Sequence, residues 1–432
     1  MRYVFNFAYL IAIAALSPSL LFAAIRKGKY REGFAQKLLG RVPPRQGSGP
    51  CLWLHAVSVG EVNVLQPLLA ELKSQQPELE CVISTTTKTG YELARKKYAD
   101  HCVFYCPLDF SWAVGEAMKR IRPDVLVLTE LELWPNLIET ARRHQAKVAV
   151  VNGRLSAKSA RGYGLIQPLV RRMLRQIEVI GVQTPEYARR FADLGAQGSQ
   201  VSVTGSLKFD GAETDRNNAR TRQLRQLAGI TPEDTVLLGG STSDPEEQVV
   251  LQAFATLRER YPALRLILVP RHPERFEEIA KWIERTGIPW QRRSAIATAC
   301  DSPWRVLLVD VIGELGAWWG TADIGYVGGS MGKREGQNMI EPAAYGAAVC
   351  FGPRTRNFRD VVALLLESNA ARVVRDEHEL AEFVETCMQQ PKQAFEMGQH
   401  AQALVRQQLG AAERTVAIIL PLVPRRTVRK AA

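Results

Sequence analysis

Residues 51–69 read CLWLHAVSVGEVNVLQPLL, and the fold follows from how they divide. Cys51-Leu52-Trp53-Leu54 is an unbroken apolar run, short for a core helix and lacking the alternation of a half-solvated strand. Such a run reads as a strand buried on both faces. Val64, Leu65, Leu68 and Leu69 then recur at helical spacing. Ser58-Val59-Gly60 makes the turn between them. A buried strand handing over to a helix belongs to a parallel sheet covered by helices. The turn also delivers one carboxylate, Glu61, to the point of hand-over. There it can serve the helix dipole, or act as a base facing a ligand.

The pattern repeats. Further strand candidates in the first half are LECVIST (79–85), CVFYC (102–106), VLVLT (125–129), KVAVVN (147–152), EVIGVQ (178–183) and VSVTG (201–205). Helical stretches such as 91–99 and 135–145 lie between them. Polar sequence follows Lys208-Phe209-Asp210 and reads as a linker, 211–233. Strand candidates resume at DTVLLGGS (234–241), LRLILVP (264–270), IPWQRR (288–293), RVLLVD (305–310), ADIGYVGGS (322–330) and AAVCFGP (347–353). A chain of 432 residues is long for one core, so the reading is two doubly wound domains in tandem, 50–210 and 234–420. A helical stretch from about 379 to 409 is positioned to fold back on the first domain.

Residues 3–25, YVFNFAYLIAIAALSPSLLFAAI, are apolar apart from Asn6 and the Ser17-Pro18-Ser19 break. They are long enough to span ~30 Å of hydrocarbon, so 1–25 is expected to anchor the chain in a membrane. The segment 26–49 that follows is rich in Lys and Arg, which places the rest on the cytoplasmic side. A cleaved signal peptide would carry its charge ahead of the apolar core, where only Arg2 lies. An interfacial helix that dips in without spanning is the remaining alternative. The tail, 421–432, is basic as well. The net charge of +12 suits an anionic partner, and the 8% aromatic content without basic-aromatic interleaving argues for a membrane or phosphate over nucleic acid. Seven scattered cysteines, Cys51, Cys81, Cys102, Cys106, Cys300, Cys350 and Cys387, read as reduced and buried. Neither they nor the six histidines have metal-site spacing. No metal and no cofactor is expected.

Open α/β sheets bind ligands at the carboxyl ends of their strands, and several motifs fall there. GGSTSDPEE (239–247) contains Ser241 and a Ser243/Glu246 capping-box pattern. PRHPERF (270–276) puts Arg271 at a strand end, where its fork suits phosphate or carboxylate. In IGEL (312–315), Gly313 is read as starting a helix with free N–H groups. GGSMGKREGQNMIEP (328–342) begins with glycines and Ser330, and Asn338 then opens a helix with Glu341 in its first turn. That carboxylate serves the helix dipole or accepts from ribose hydroxyls. TELELWPN (129–136) places Glu130 and Glu132 after a strand, on one side if the chain stays extended. NGRLS (152–156) and TGSLKFD (204–210) add Arg154 and Lys208. Their shared position at strand ends says more than any one of them.

HAVSVGE, TELELWPN, NGRLS, TGSLKFD, PRHPERF, GEL and GGS…GQNMIEP in this order resemble the bacterial 3-deoxy-D-manno-octulosonic acid (Kdo) transferases, up to about residue 360. The resemblance implies a GT-B type α/β fold: two tandem Rossmann-like domains facing a central cleft, preceded by an N-terminal membrane-anchor helix. It implies an inverting glycosyltransferase moving Kdo from CMP-Kdo to a lipid A precursor, on the cytoplasmic face of the inner membrane among anionic lipids. It casts Glu61 as general base, with Glu130 and Lys208 stabilising the transition state. Pro270, Arg271, Ile312, Gly313, Glu314, Asn338, Met339, Ile340 and Glu341 would bind the donor in the second domain, and the first would bind the acceptor. Ser58, Arg154, Ser241, Ser330 and Gln337 are further candidates in the same loops. The family usually reads GGHNPLE where this chain reads EGQNMIE, so Glu335 replaces a glycine and Gln337 a histidine. Gln337 still hydrogen-bonds but carries no proton at neutral pH. The alternatives are another GT-B nucleotide-sugar enzyme, either a UDP-sugar transferase or an epimerase, and a non-catalytic membrane-bound member of the fold.

Overall fold

The computed structural model describes residues 2–27, 32–297 and 303–424. Cys300, residues 28–31 of the basic segment and the tail from 425 lie outside the described residues. The chain divides into two units, 1–210 with 409–432, and 211–408.

The N-terminal unit is built on β1 (Cys51–His55), β2 (Glu80–Thr85), β3 (Cys102–Tyr105), β4 (Val125–Thr129), β5 (Lys147–Gly153), β6 (Val179–Val182) and β7 (Val201–Val203). They pair in parallel in the order β3-β2-β1-β4-β5-β6-β7. Cys51 and Trp53 face one core while Leu52 and Leu54 face the other, the two-residue period of a sheet covered on both sides. Trp53 is fully buried and donates Nε1–H to Ser84 Oγ at 2.7 Å, so its one polar atom is satisfied.

The C-terminal unit carries β8 (Thr235–Thr242), β9 (Leu264–Pro270), β10 (Trp290–Arg292), β11 (Val306–Leu308), β12 (Ile324–Val327), β13 (Ala348–Phe351) and β14 (Ala371–Val373). Their order is β10-β11-β9-β8-β12-β13-β14, again parallel. β14 is short, with an exposed arginine between its two apolar residues, and gives no apolar run to read from sequence.

Two boundaries differ from the sequence reading. The second unit ends near 408, not 420. Ala411, Ala412, Val416 and Ile419 put one apolar face into the N-terminal core beside Leu52, Leu65 and Leu68. Asp210 pins that helix, Ala411–Ile419, by accepting from the Gly410 N–H at 2.8 Å and from the Ala412 N–H. It is this short helix, not the stretch 379–409, that returns to the first unit. Nor is 211–233 a free linker. It contains the helix Ala219–Leu227, whose Thr221 donates to the Ala317 carbonyl at 3.2 Å, and Arg216 reaches the carbonyls of Tyr345 and Ala322.

The N-terminal segment is a continuous helix, Arg2–Lys27, and Ser17-Pro18-Ser19 lies within it. Among the described residues no helix is long and apolar enough to cross a membrane. The first turns dock on the unit. Asn6 is buried, donating to Ser111 Oγ at 2.8 Å and accepting from Asn136 Nδ2 at 3.2 Å. Tyr9 donates to Asp109 at 2.8 Å. Asp109 in turn accepts the Asn136 and Leu137 N–H groups at the start of the helix Pro135–Arg143, so the first turns of the terminal helix join a polar cluster at the end of TELELWPN.

Candidate active site

In the N-terminal unit the site grows from the β1 turn. Ser58 is the N-cap of the helix Val59–Gln75, accepting the Glu61 N–H at 3.4 Å and donating to Glu61 Oε1 at 2.8 Å. The other carboxylate oxygen accepts the Val57 N–H at 2.8 Å and faces Thr129 Oγ1 at 3.0 Å. Glu61 is 7% exposed. Its capping role is therefore real, and it leaves the chemistry open, because two of its three partners are hydroxyls. A hydroxyl can turn and accept. Thr129 Oγ1 also lies 2.7 Å from the His55 carbonyl, so when it donates there it can receive a proton carried by Glu61.

Glu130 follows at the end of β4 in the left-handed region, φ +58°, its N–H bonded to the Val151 carbonyl at 2.9 Å. The chain turns there, so Glu130 and Glu132 do not share one side of an extended strand, as alternation suggested. The turn brings Glu132 near Glu61 instead. Burial, then the charges of Glu61 and Glu130, raise its carboxyl to about 7, opposed by Trp134 Nε1–H, which donates at 2.7 Å. Three carboxylates thus gather at the ends of β1 and β4, and one of them, Glu132, is raised toward neutrality. Arg154 is half-buried just past β5, and Lys208 is half-buried in the turn after β7.

In the C-terminal unit Pro270 closes β9, and Arg271 is exposed beyond it, its N–H held by the Thr242 carbonyl at 2.9 Å. Ser241, at φ +54°, marks a register break where β8 carries one residue more than β9. Asn338 donates to Glu341 at 3.0 Å and accepts the Ile340 N–H at 3.1 Å, and the helix begins at Ile340. Burial raises the Glu341 carboxyl, against the pull of Asn338, Trp319 and Arg271. The charge of Arg271 acts on Glu341, and the two are a cation and an acceptor suited to a nucleotide's phosphate and ribose. Met339 and Ile340 are buried, and contribute to the loop's shape.

The IGEL loop differs from expectation. Gly313 sits in a turn at φ +90° and the helix, Leu315–Trp318, starts two residues later and runs for four. Glu314 is engaged by Arg293 at 2.9 and 3.0 Å and by Trp318 at 3.1 Å, while Ile312 is 78% exposed. Ser330 is fully buried, with its Oγ bonded to the Val327 carbonyl and the Gly352 N–H, both at 2.7 Å, so it shapes the loop. Gln337 lies against Gly329, where an added Cβ would meet Gln337 Cγ at 2.9 Å. Glu246 accepts the N–H groups of Gly329, Ser330 and Met331 at 2.6 to 2.9 Å, a role that a capping-box spacing does not reveal. Sequence reasoning also passed over Thr129, whose only signal was its place as the last residue of a strand. Among the described residues no group of three His, Cys, Asp or Glu side chains could hold a metal ion.

Comparison with known proteins places this architecture. A family model described as 3-deoxy-D-manno-octulosonic-acid transferase (kdotransferase) matches residues 29–211. The 3-deoxy-D-manno-octulosonic acid transferase of Haemophilus influenzae is 30% identical over 433 residues, covering 98% of this chain and 100% of that protein. That of Bordetella pertussis is 31% identical over 423 residues, covering 94% and 97%. A crystal structure of a glycosyltransferase from Rickettsia africae superposes with a TM-score of 0.54 at 12% identity, over 87% of this chain and 99% of that one, a likeness of fold. The two parallel seven-stranded units are those of a GT-B-like protein, and the chain belongs to the 3-deoxy-D-manno-octulosonic acid transferase family.

Proposed function

We propose that this protein transfers Kdo from CMP-Kdo to a hydroxyl of a lipid A precursor, with Glu61 as the base. The observation that carries this is the setting of Glu61: a carboxylate at the carboxyl end of a central strand, almost buried, with two hydroxyl partners able to reverse. The acceptor oxygen attacks the anomeric carbon as the bond to the CMP phosphate breaks. The bonding pair leaves with the phosphate, and the acceptor proton passes to Glu61. A positioned base of this kind is worth ~10²–10⁴-fold. Lys208 and Glu130 flank the same sheet end and stabilise the charge that develops. Arg271 balances the departing phosphate, and Glu341 takes the ribose.

The amino-terminal helix fits attachment to the membrane surface. Tyr3, Val4, Phe7, Leu10 and Ile11 are exposed on it, while Asn6 and Tyr9 face the protein. An apolar face of that kind, on a chain of net charge +12, suits the anionic cytoplasmic leaflet where the lipid acceptor resides. A UDP-sugar enzyme is the competing reading. Incubation with CMP-Kdo and the precursor should yield the Kdo adduct, and CMP should raise Tm more than UMP. Stabilisation by UMP equal to or above that by CMP, with no adduct formed, would sink the donor assignment.

A further inference from the structure

The end of β5 holds a residue that the chemistry above does not use. Asn152 is fully buried and adopts φ +53°, a left-handed conformation that costs a side-chain-bearing residue about 1–3 kcal/mol unless its surroundings enforce it. It lies in a bulge. Val150 pairs with Ile180 and Gly153 with Val182, so β5 carries one residue more than β6 across that interval. The bulge ties together three strand ends. Asn152 Oδ1 accepts the Leu207 N–H at 3.1 Å, next to Lys208. Its main-chain carbonyl accepts from Gln183 Nε2 at 3.0 Å, after β6. The preceding carbonyl, of Val151, accepts the Glu130 N–H at 2.9 Å.

Because Leu207 supplies a donor, the carboxamide must present its oxygen there. Asn152 Nδ2 is then buried with no hydrogen-bond partner among the described residues. A buried donor left unpaired costs about 1–3 kcal/mol. Glycine would serve the same backbone without the strain or the orphaned amide. What asparagine adds at this position is the oxygen that holds Leu207.

We propose that Asn152 is a positioning residue for transfer: from the bulge that anchors Glu130, it holds the turn that carries Lys208. The inference rests on Lys208 acting in the reaction, so both are tested together, in the full-length enzyme with CMP-Kdo as donor.

Asn152→Gly removes the strain and the orphaned amide but leaves the buried Leu207 N–H unpaired, so Tm should change little while kcat falls about 10-fold or more, with the donor KM within about threefold. In the same variant, amide exchange over residues 204–210 should rise while exchange over β4 stays at its wild-type level. Lys208→Ala should lower kcat by itself, and adding Asn152→Gly to it should change little further. Wild-type kcat in Asn152→Gly would overturn the inference while leaving Lys208 untouched. An equal fold-loss in both backgrounds would overturn it too, because Asn152 would then act on something other than Lys208. An unaffected Lys208→Ala would remove both the reading of Lys208 and the role assigned to Asn152. Unchanged exchange over 204–210 would show that the turn does not depend on the hydrogen bond, even if the variant proved too unstable for kinetics.

Discussion

Each unit sets a glutamate in the first turn of the helix that follows its first strand, and each glutamate reaches the end of the neighbouring strand. Glu61 reaches Thr129 at the end of β4, and Glu246 reaches the loop after β12. The positions correspond, but the surroundings do not. Glu246 is 0% exposed and takes main-chain N–H groups from Ser243, Gly329, Ser330 and Met331, with the hydroxyls of Tyr326 at 3.0 Å, Ser243 at 3.3 Å and Ser330 at 3.4 Å. A main-chain N–H only donates, so a proton on Glu246 would oppose donors that cannot turn. Glu61 has one such N–H and two hydroxyls that can reverse. One carboxylate is fixed by four main-chain donors and holds a loop, and the other is fixed by one, which leaves it freer to change partners.

The largest stability effect should fall on Glu246. Glu246→Gln places an amide against N–H donors and leaves at least one unpaired, a loss of about 1–3 kcal/mol. Tm should drop by several degrees and CMP should bind more weakly, because the GGS loop opens the donor motif. Intact Tm and CMP affinity in that variant would erase the contrast between the two glutamates. Next, Arg271→Met should weaken CMP binding about tenfold by isothermal titration, the worth of a hydrogen bond to a charged group, with little change in Tm because the side chain is exposed. An unchanged affinity would move the phosphate contact elsewhere.

The smallest effect concerns pH. The Glu132 carboxyl is raised to about 7, so protonation is favoured in the folded state. The stability tied to it is fully present below the ordinary carboxylate range and is lost as pH rises through about 7. Glu132→Gln should therefore flatten the fall in Tm between pH 5 and 8, raising Tm at pH 8 and hardly altering it at pH 5. A parallel fall in wild type and variant would mean that Glu132 is not the group responsible.

The alternation of apolar runs and helices made both sheets legible, because a strand buried on two faces must be apolar throughout. Cys51–His55 and Leu264–Pro270 are examples. β14 was not legible, being three residues with an exposed arginine in the middle. The return of Ala411–Ile419 to the first unit was misplaced, since a helix pattern shows which face is apolar but not which core receives it. That Glu61, Glu130, Lys208 and Arg271 fall near the carboxyl ends of strands could be read from position alone. The left-handed turns at Glu130, Asn152 and Ser241 could not, because side chains at such φ values carry no pattern. Asn152-Gly153 did offer a weak turn signal. The proximity of Glu132 to Glu61 depends on that hidden turn, which is why alternation misjudged it.

The most direct measurement is single-turnover transfer from CMP-Kdo to the lipid A precursor by wild type and Glu61→Gln, with Tm and CMP affinity recorded for both. A glutamine keeps the size of the side chain and one accepting oxygen, but cannot take the acceptor's proton. A fall of ~10²-fold or more in the transfer step, with Tm and CMP affinity near wild type, is the expected result. Transfer at the wild-type rate would contradict it and leave Glu61 as the capping residue that Ser58 already makes it.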